Sequence, residues 1–216
     1  MSRLSVEAST VLCLLQDGGR FGVRHLGVTQ GGAADWLSMA WANNLLGNPS
    51  GAAVIEVTLG GLTLEARDDC CLALTGADLG ALLDGQPLMP WRSFIVRKGQ
   101  RLQFSQPRLG VRAYLAAPGG FNAPAVLGSC ATVVREELGG LDGMGRPLAR
   151  GAELSYSGTA PSLREVPEAL RPDFSDTQGL DLVLGAQHGE FSGQSLFDAF
   201  NSTWTLDSRA DRMGIR

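Results

Sequence analysis

The sequence predicts a mainly β protein whose first part is a closed or nearly closed β-barrel with one main helix. Many short apolar runs follow one another at close spacing, as expected for a barrel of short strands. Glycine accounts for 29 of the 216 residues without a G-x-y repeat, and most glycines fall in turns between these runs. One segment of this region has the composition and spacing of a strong helix.

The predicted strands are short segments that alternate between apolar and polar residues or are apolar throughout. Two glycine-containing dipeptides between them, Gly60-Gly61 and Asp84-Gly85, are typical of hairpin turns. The first predicts a hairpin between Val54–Leu59 and Leu62–Ala66. The complete set of predicted strands is Leu4–Ala8, Val11–Leu15, Val54–Leu59, Leu62–Ala66, Cys71–Leu74, Leu79–Leu83, Phe94–Val96, Arg101–Phe104, Val111–Ala116 and a pair within Leu148–Tyr156.

The helix is predicted over Ala34–Leu46, a segment rich in alanine and leucine. Gly47 suits the position after a helix end, and Pro49 prevents the helix from continuing. The apolar face of this helix is expected to consist of Met39, Ala42, Leu45 and Leu46.

The chain is expected to contain a first domain over residues 1–158, a linker over 159–178 and an incomplete second domain over 179–216. The linker prediction rests on three prolines among serine, acidic and threonine residues. In the second domain the apolar run Leu180–Leu184 predicts a strand, Phe197–Phe200 a helical turn and Thr203–Leu206 another strand.

Composition excludes several classes of function. The net charge of −4 and the pI of 5.2 argue against a nucleic-acid partner. No apolar stretch approaches the ~20 residues that span a bilayer, so no membrane partner is expected and a cytoplasmic location is predicted. The four cysteines and two histidines do not form a metal-binding pattern. Because Lys98 is the one lysine among 18 basic residues, contacts with carboxylates must fall mainly to arginine.

The glycine-rich turns contain polar residues whose role the pattern leaves open. The turn Asp17–Arg20 predicts either an anion site or a plain turn with a surface arginine. The segment Gln30–Asp35 runs into the predicted helix, where either the helix N-terminus binds an anion or Asp35 caps the helix. Glu56 is either an outward-facing strand residue or a pocket carboxylate. Ser129 and Cys130 are a weak nucleophile candidate, since the G-x-S-x-G pattern is absent.

A series of motifs in register resembles one known family. They are Gln16-Asp17-Gly18-Gly19-Arg20, Gly27-Val28 through Asp35, Ala42 through Asn48, Glu56 through Gly60, Tyr114 through Gly120, Leu127 through Thr132, Gly139-Gly140 with Gly145 through Leu148, and Asp211-Arg212-Met213-Gly214. The chain is similar over nearly its whole length to the biotin-dependent carboxyltransferase family, which includes the C subunit of 5-oxoprolinase, KipA, allophanate hydrolase subunit 2 and the carboxyltransferase domain of urea carboxylase.

The resemblance implies two cyclophilin-like β-barrel domains, the second one truncated here, with the active cleft near their junction. It implies one component of an ATP-dependent 5-oxoprolinase that opens 5-oxoproline to glutamate, and this component is expected to be inactive alone.

The implied partners are the KipI-like B subunit of 5-oxoprolinase and the lactam-utilisation-type A subunit. ATP would bind through the complex, since no Walker motif is present, and biotin would be carried on another chain, because Lys98 does not lie in a carrier motif. Two alternatives stay open: a component of a urea or amide carboxyltransferase, and a non-catalytic KipA-like antagonist of a KipI-like inhibitor.

Under this resemblance we assign hypothetical roles to eight residues. Glu56 or Asp35 would handle protons on the first-domain side of the cleft, with His188 as a further catalytic candidate from the second domain. Arg20 would bind a substrate carboxylate. The remaining predicted substrate-binding residues are Gln30, Asn43, Gln187 and Arg212, and no metal is expected.

Overall fold

A computed structural model describes residues 2–175, 179 and 181–205. The chain divides by its contacts into two compact units, Met1–Ser175 and Asp176–Arg216. The strands are β1 Ser2–Ala8, β2 Cys13–Gln16, β3 Val54–Thr58, β4 Thr63–Ala66, β5 Cys70–Asp78, β6 Ala81–Leu83, β7 Gln86–Pro87, β8 Arg92–Val96, β9 Arg101–Phe104, β10 Leu109–Ala116 and β11 Glu153–Tyr156. The α-helices are α1 Trp36–Leu45 and α2 Gly193–Asn201, and the 3-10 turns are Arg24–Leu26, Val134–Glu136, Glu168–Leu170 and His188–Glu190.

The first unit consists of two antiparallel sheets. The six-stranded sheet has the order β11-β1-β4-β9-β6-β7, and the five-stranded sheet has the order β2-β3-β10-β5-β8. Leu4 and Leu64 of the six-stranded sheet share one buried cluster with Ile55, Leu72 and Leu115 of the five-stranded sheet. The core therefore lies between the sheets, and the predicted mainly β architecture is confirmed.

The five-stranded sheet is also covered on its other face, by α1. Successive side chains of a strand point to opposite faces, so Ala73 lies on the face opposite Leu72. It belongs to a second buried cluster with Met39 and Ala42 of α1 and Val54 of β3. Burial on both faces explains why β5 is buried along almost its whole length.

The predicted helix is confirmed, with the capping residues that its sequence indicates. The Asp35 carboxylate accepts a hydrogen bond from the Ser38 backbone N–H at 2.9 Å, which makes Asp35 the N-cap. Gly47 adopts a left-handed φ of 72° directly after the helix end. The four residues predicted for the apolar face, Met39, Ala42, Leu45 and Leu46, are all buried.

One predicted hairpin is confirmed and the other is wrong. Asp84 and Gly85 both have positive φ and join the paired strands β6 and β7. The strands on either side of Gly60-Gly61 do not pair: β3 pairs with β2 and β10, whereas β4 pairs with β1 and β9. The two glycines instead take the chain from one sheet to the other, because alternation identifies a strand's faces but not its neighbour.

Residues 159–175, placed in a linker by the sequence, pack on the first unit. The backbone N–H of Ser93 donates to the Arg164 carbonyl at 2.9 Å, and Val166 is buried in the cluster beneath α1. The Phe174 ring lies 6.4 Å from that of Trp91. These residues therefore extend the first unit.

The second unit contains α2, capped by Ser192, so the predicted helical turn Phe197–Phe200 is confirmed within a longer helix. The strand predictions are wrong where the structure describes them: residues 181–184 and 203–205 are not in strands, and Leu180 and Leu206 lie outside the described residues. An apolar run becomes a strand only where a neighbouring chain segment receives its hydrogen bonds, which sequence alone does not reveal. In the described part of the chain, neither helix is long and apolar enough to cross a membrane.

Two glycines with the same backbone angle provide a test of the packing between β5 and β10. Gly76 and Gly99 both have a φ of 84°, but a Cβ on Gly76 would lie 2.5 Å from the Arg112 carbonyl oxygen, and one on Gly99 would have no heavy atom within 4 Å. We expect Gly99→Ala to cost about 1–2 kcal/mol, the penalty of the left-handed conformation alone. Gly76→Ala should cost about 3 kcal/mol or more, because a backbone atom must also move. Urea unfolding followed by circular dichroism measures both, and equal losses would contradict the close approach.

Candidate functional site

The Asp17 carboxylate joins loops that are distant in the sequence. Its Oδ1 accepts hydrogen bonds from the Gly19 N–H at 2.8 Å and the Ser129 hydroxyl at 2.6 Å. Asp17 Oδ2 accepts a hydrogen bond from the Cys130 N–H at 2.8 Å. The Asp17 backbone carbonyl accepts one from the Ala33 N–H at 3.1 Å. Asp17 thus connects the turn after β2 with the segment before α1 and with the loop that contains Ser129.

Arg20 is the largest fully buried side chain of the first unit, with 1% of its surface exposed. Its Nε donates to the Val126 carbonyl at 3.0 Å, and its Nη2 donates to the carbonyls of Ala131 at 2.7 Å and Ser129 at 3.3 Å. Among the described residues, Nη1 has no hydrogen-bond acceptor and no carboxylate oxygen lies within 4 Å of the guanidinium. The prediction of a plain surface arginine is therefore wrong: Arg20 is a buried cation held by carbonyl dipoles.

An open hollow of about 490 Å³ lies beside Arg20. The Arg20 backbone N–H donates to the Gln30 carbonyl at 2.7 Å, which fixes the two sides of the hollow to each other. The Arg24 Nη2 donates to Gln30 Oε1 at 3.2 Å. The 3-10 turn Arg24–Leu26, closed by Gly27 at a φ of 73°, presents Arg24 and His25. The lining consists of Arg20, Phe21, Gly22, Arg24, His25 and Gln30, with no acidic residue among them.

Glu56 is fully buried on β3, on the face that packs against α1. Its Oε2 accepts hydrogen bonds from the Ala34 N–H and the Tyr114 hydroxyl, each at 2.9 Å, and its Oε1 lies 3.9 Å from Arg112 Nε. The Tyr114 oxygen in turn accepts the Asp35 N–H at 2.7 Å. Burial, reinforced by the nearby Glu56 charge, raises the pKa of Tyr114. The Glu56–Tyr114 pair therefore fixes the chain just before α1.

Asn43 lies within α1, and its amide is used in three contacts. Its Nδ2 donates to the carbonyls of Ser50 at 3.1 Å and Ala52 at 2.9 Å. Its Oδ1 accepts from Asn48 Nδ2 at 2.9 Å, and Asn48 also donates to the Ala117 carbonyl. The arrangement holds the loop after the helix against the end of β10.

The structure brings together some of the predicted site residues. Arg20 and Gln30 line the hollow. Asp35 lies at the other end of the segment that begins at Gln30. The Tyr114 hydroxyl connects it to Glu56, because it accepts from the Asp35 N–H and donates to the Glu56 carboxylate. Asp35 and Glu56 do not line that hollow, and neither does Asn43.

The second unit carries the other three predicted site residues. Gln187 and His188 are exposed, and His188 Nδ1 lies 3.0 Å from the Gly185 carbonyl oxygen. Arg212 lies outside the described residues.

Sequence reasoning missed Arg24, His25 and the linking role of Asp17. The signal for Arg24 and His25 was their position in the same glycine-rich segment as Arg20. For Asp17 there was no local signal, because its partners Ser129 and Cys130 lie at sequence separations of 112 and 113.

Ser129 and Cys130 do not have the environment of an activated nucleophile. Both are buried, and both contact the Asp17 carboxylate. Burial, followed by the charge of Asp17, raises the pKa of the Cys130 thiol to about 12. A reactive cysteine needs a lowered pKa, so the thiol is a structural donor.

The glycine-rich segment Gly139–Arg146 does not fit the phosphates of ATP. Phosphate-binding loops present unpaired backbone N–H groups to the ligand. Here the N–H of Gly140 donates to the Cys130 carbonyl at 2.8 Å, and that of Gly145 donates to the Gly139 carbonyl at 2.7 Å. The N–H groups of Gly143 and Met144 are bonded within the loop. In the part of the chain that the structure describes, no group of three or more His, Cys, Asp or Glu side chains could hold a metal ion.

Comparison with known proteins identifies the family. The sequence model of the carboxyltransferase domain, subdomain A and B, matches residues 26–216. The chain belongs to this family. Among its relatives, the C subunit of 5-oxoprolinase from Haemophilus influenzae is 36% identical over 94% of this chain and 64% of its own length. The C subunit of 5-oxoprolinase from Escherichia coli is 36% identical over 99% of this chain and 67% of its own length.

A solved carboxyltransferase relative has the same fold. The crystal structure of the Kluyveromyces lactis urea carboxylase is 27% identical and superposes with a TM-score of 0.84, covering 99% of this chain and 20% of that one. The chain thus spans about two thirds of the length of the 5-oxoprolinase relatives and a fifth of the urea carboxylase.

The raised pKa of Cys130 predicts a loss of stability at high pH. A buried thiol whose pKa rises from 9.0 to about 12 on folding contributes stability that is present below pH 9 and is lost as the pH rises toward 12, because only the unfolded thiol ionises in that range. In Cys130→Ser the hydroxyl still donates to Asp17 but does not titrate. Between pH 7 and pH 10 the free energy of unfolding should fall in both proteins. We expect the fall to be about 1 kcal/mol smaller in the Cys130→Ser variant than in the wild type. Urea unfolding under reducing conditions measures this, and parallel curves would contradict it.

Proposed function

We propose that this chain is the C-type component of a 5-oxoprolinase, an ATP-dependent enzyme that opens 5-oxoproline to glutamate and requires partner subunits. The observation that carries the proposal is the 36% identity to two proteins named as the C subunit of 5-oxoprolinase, over 94% and 99% of this chain. The relatives named for urea carboxylase or urea amidolyase match at 30–35% identity and over at most 16% of their own length.

The proposed reaction adds water across the lactam amide. The oxygen of water bonds to the ring carbonyl carbon, the C–N bond breaks, and the nitrogen leaves as the amine after gaining a proton. Opening a stable amide needs free energy, which the hydrolysis of the terminal phosphoanhydride bond of ATP by water, to ADP and phosphate, would supply when the proposed complex couples the two reactions. The Gly139–Arg146 loop supports ATP binding elsewhere in the complex, because the N–H groups of Gly140, Gly143, Met144 and Gly145 already have acceptors.

The contacts of the predicted residues divide them into two proposed roles. Glu56, Asp35 and Asn43 are positioning residues, since their side chains hold the two ends of α1. Arg20 and Gln30 are proposed to bind substrate, since both line the hollow. For proton transfer, the exposed imidazole of His188 stays our candidate, with Gln187 and Arg212 as further substrate contacts.

The proposed partners are the KipI-like B subunit and the lactam-utilisation-type A subunit of the same enzyme. Both relatives are named as the C subunit, which supports an assembly of several different chains. Biotin is not proposed on this chain, because its one lysine, Lys98, does not lie in a carrier motif.

A component of a carboxyltransferase is the second candidate function. The family description and the urea carboxylase likeness favour it. It requires a carboxylated biotin presented by another chain and would transfer the carboxyl group to urea or another amide.

Reconstitution tests the proposal. The complete natural protein is combined with its A-type and B-type partners, 5-oxoproline and ATP, and glutamate is measured. We expect glutamate to form only when all three proteins and ATP are present, and omission of any one to stop it.

Parallel reactions separate the alternatives. Carboxylation of urea by the protein with a biotin carboxylase and a biotin carrier, without glutamate formation, would replace the proposal with the carboxyltransferase. Tight binding to the B-type partner without turnover in any combination would replace it with a KipA-like antagonist.

A further inference from the structure

We propose that the hollow lined by Arg20, Phe21, Gly22, Arg24, His25 and Gln30, here named the arginine hollow, binds the carboxylate of a small organic acid. The identity of that acid rests on the proposed function, which makes it 5-oxoproline. The site itself rests on the charges and hydrogen bonds of the residues around it.

The first argument is charge. Arg20 is buried, and its hydrogen-bond partners are neutral carbonyl groups of Val126, Ser129 and Ala131. A buried cation that lacks an ion-pair partner has a desolvation cost that an anion nearby would reduce. Arg24 adds a second positive charge at the surface of the same hollow.

Two acidic side chains near Arg20 in the fold or the sequence accept hydrogen bonds from other groups. Asp17 accepts from Ser129 and Cys130, and Glu136 accepts from the backbone N–H and the hydroxyl of Thr29. The hydrogen bonds from Thr29 lower the pKa of Glu136, and the Arg20 charge contributes in the same direction. Neither carboxylate lines the arginine hollow. Among the described residues, neither carboxylate forms an ion pair with Arg20 or Arg24, so an anion in the hollow would gain from both positive charges.

The second argument is the supply of hydrogen-bond donors. A guanidinium has five N–H donors. Arg24 uses its Nη2 to donate to Gln30 Oε1 at 3.2 Å, and it forms no ion pair with the described residues. That bond orients Arg24 across the hollow. The Gln30 amide nitrogen and the His25 ring add donors of the kind that a carboxylate accepts.

The third argument is the geometry of the exposed guanidinium. An arginine presents a planar fork of N–H donors that matches the two oxygens of a carboxylate. Arg24 is exposed and lines the arginine hollow, whereas the Arg20 guanidinium is buried and acts on an anion there through its charge. The volume of about 490 Å³ easily accommodates a lactam acid.

The test compares two lactams that differ in the carboxylate. Binding of 5-oxoproline and of 2-pyrrolidinone to the complete natural protein is measured by calorimetry for the wild type, Arg24→Gln and Arg150→Gln. Arg24 is exposed, so its replacement should not affect folding, and Arg150 is an exposed arginine outside the hollow. We expect Arg24→Gln to weaken 5-oxoproline binding about 10-fold, to leave 2-pyrrolidinone unchanged, and Arg150→Gln to change neither.

The same variants in the reconstituted complex provide the second measurement. We expect Arg24→Gln to raise the KM for 5-oxoproline about 10-fold with little change in kcat, since the contact is made before the reaction begins. If the complex is active and both the affinity and the KM are unaffected by Arg24→Gln, the arginine hollow is not the carboxylate site, while the proposed function stands. If the complex is inactive but the protein binds 5-oxoproline in an Arg24-dependent way, the site stands and the proposed function fails.

Discussion

The loops at one end of the first unit depend on two oppositely charged side chains that lie three residues apart. Loops that leave a sheet have backbone groups without ladder partners, and such groups must be satisfied when they are buried. An ionised carboxylate only accepts hydrogen bonds, and a guanidinium only donates them. The Asp17 carboxylate accepts hydrogen bonds from the Ser129 hydroxyl and the Cys130 N–H. The Arg20 guanidinium donates hydrogen bonds to the carbonyls of Val126, Ser129 and Ala131. One short turn after β2 therefore satisfies both kinds of group in the same distant loop.

A second carboxylate, the buried one of Glu56, performs a related task at the beginning of α1. Glu56 accepts from Ala34 and Tyr114, and Tyr114 accepts from Asp35. The segment between Gln30 and Asp35 is thus held near its two ends by different buried residues. The Arg20 backbone N–H donates to the Gln30 carbonyl, and the Glu56 carboxylate accepts from the Ala34 N–H. Glycines allow the close approach, since a Cβ on Gly32 would lie 3.2 Å from the Asp17 carbonyl oxygen. The shape of the arginine hollow follows from these anchors.

The strands of the first unit and its helix could be predicted because their signals are local. The spacing of Met39, Ala42 and Leu45 identifies the buried face of α1, and Asp35 and Gly47 mark its ends. The pairing of strands could not be predicted, because alternation specifies which side of a strand is buried and not which strand lies beside it. Gly60-Gly61 therefore resembled a hairpin turn, although it joins two different sheets. Residues 159–175 resembled a linker because their contacts with Trp91 and Ser93 depend on a distant strand.

The candidate site was predicted in part for the same physical reason. Arg20, Gln30, Asp35 and Glu56 were identified as polar residues in glycine-rich or apolar surroundings, but their roles depend on burial by loops that are far away in the sequence. Relatives of the chain carry names as different as 5-oxoprolinase and urea carboxylase, so a shared fold supports more than one reaction. The carboxylates of Asp17 and Glu56 accept hydrogen bonds from other parts of the first unit and so maintain its fold. A ligand can be contacted directly only by exposed side chains, and in the first unit Arg24 and His25 are exposed on the 3-10 turn that Gly27 closes.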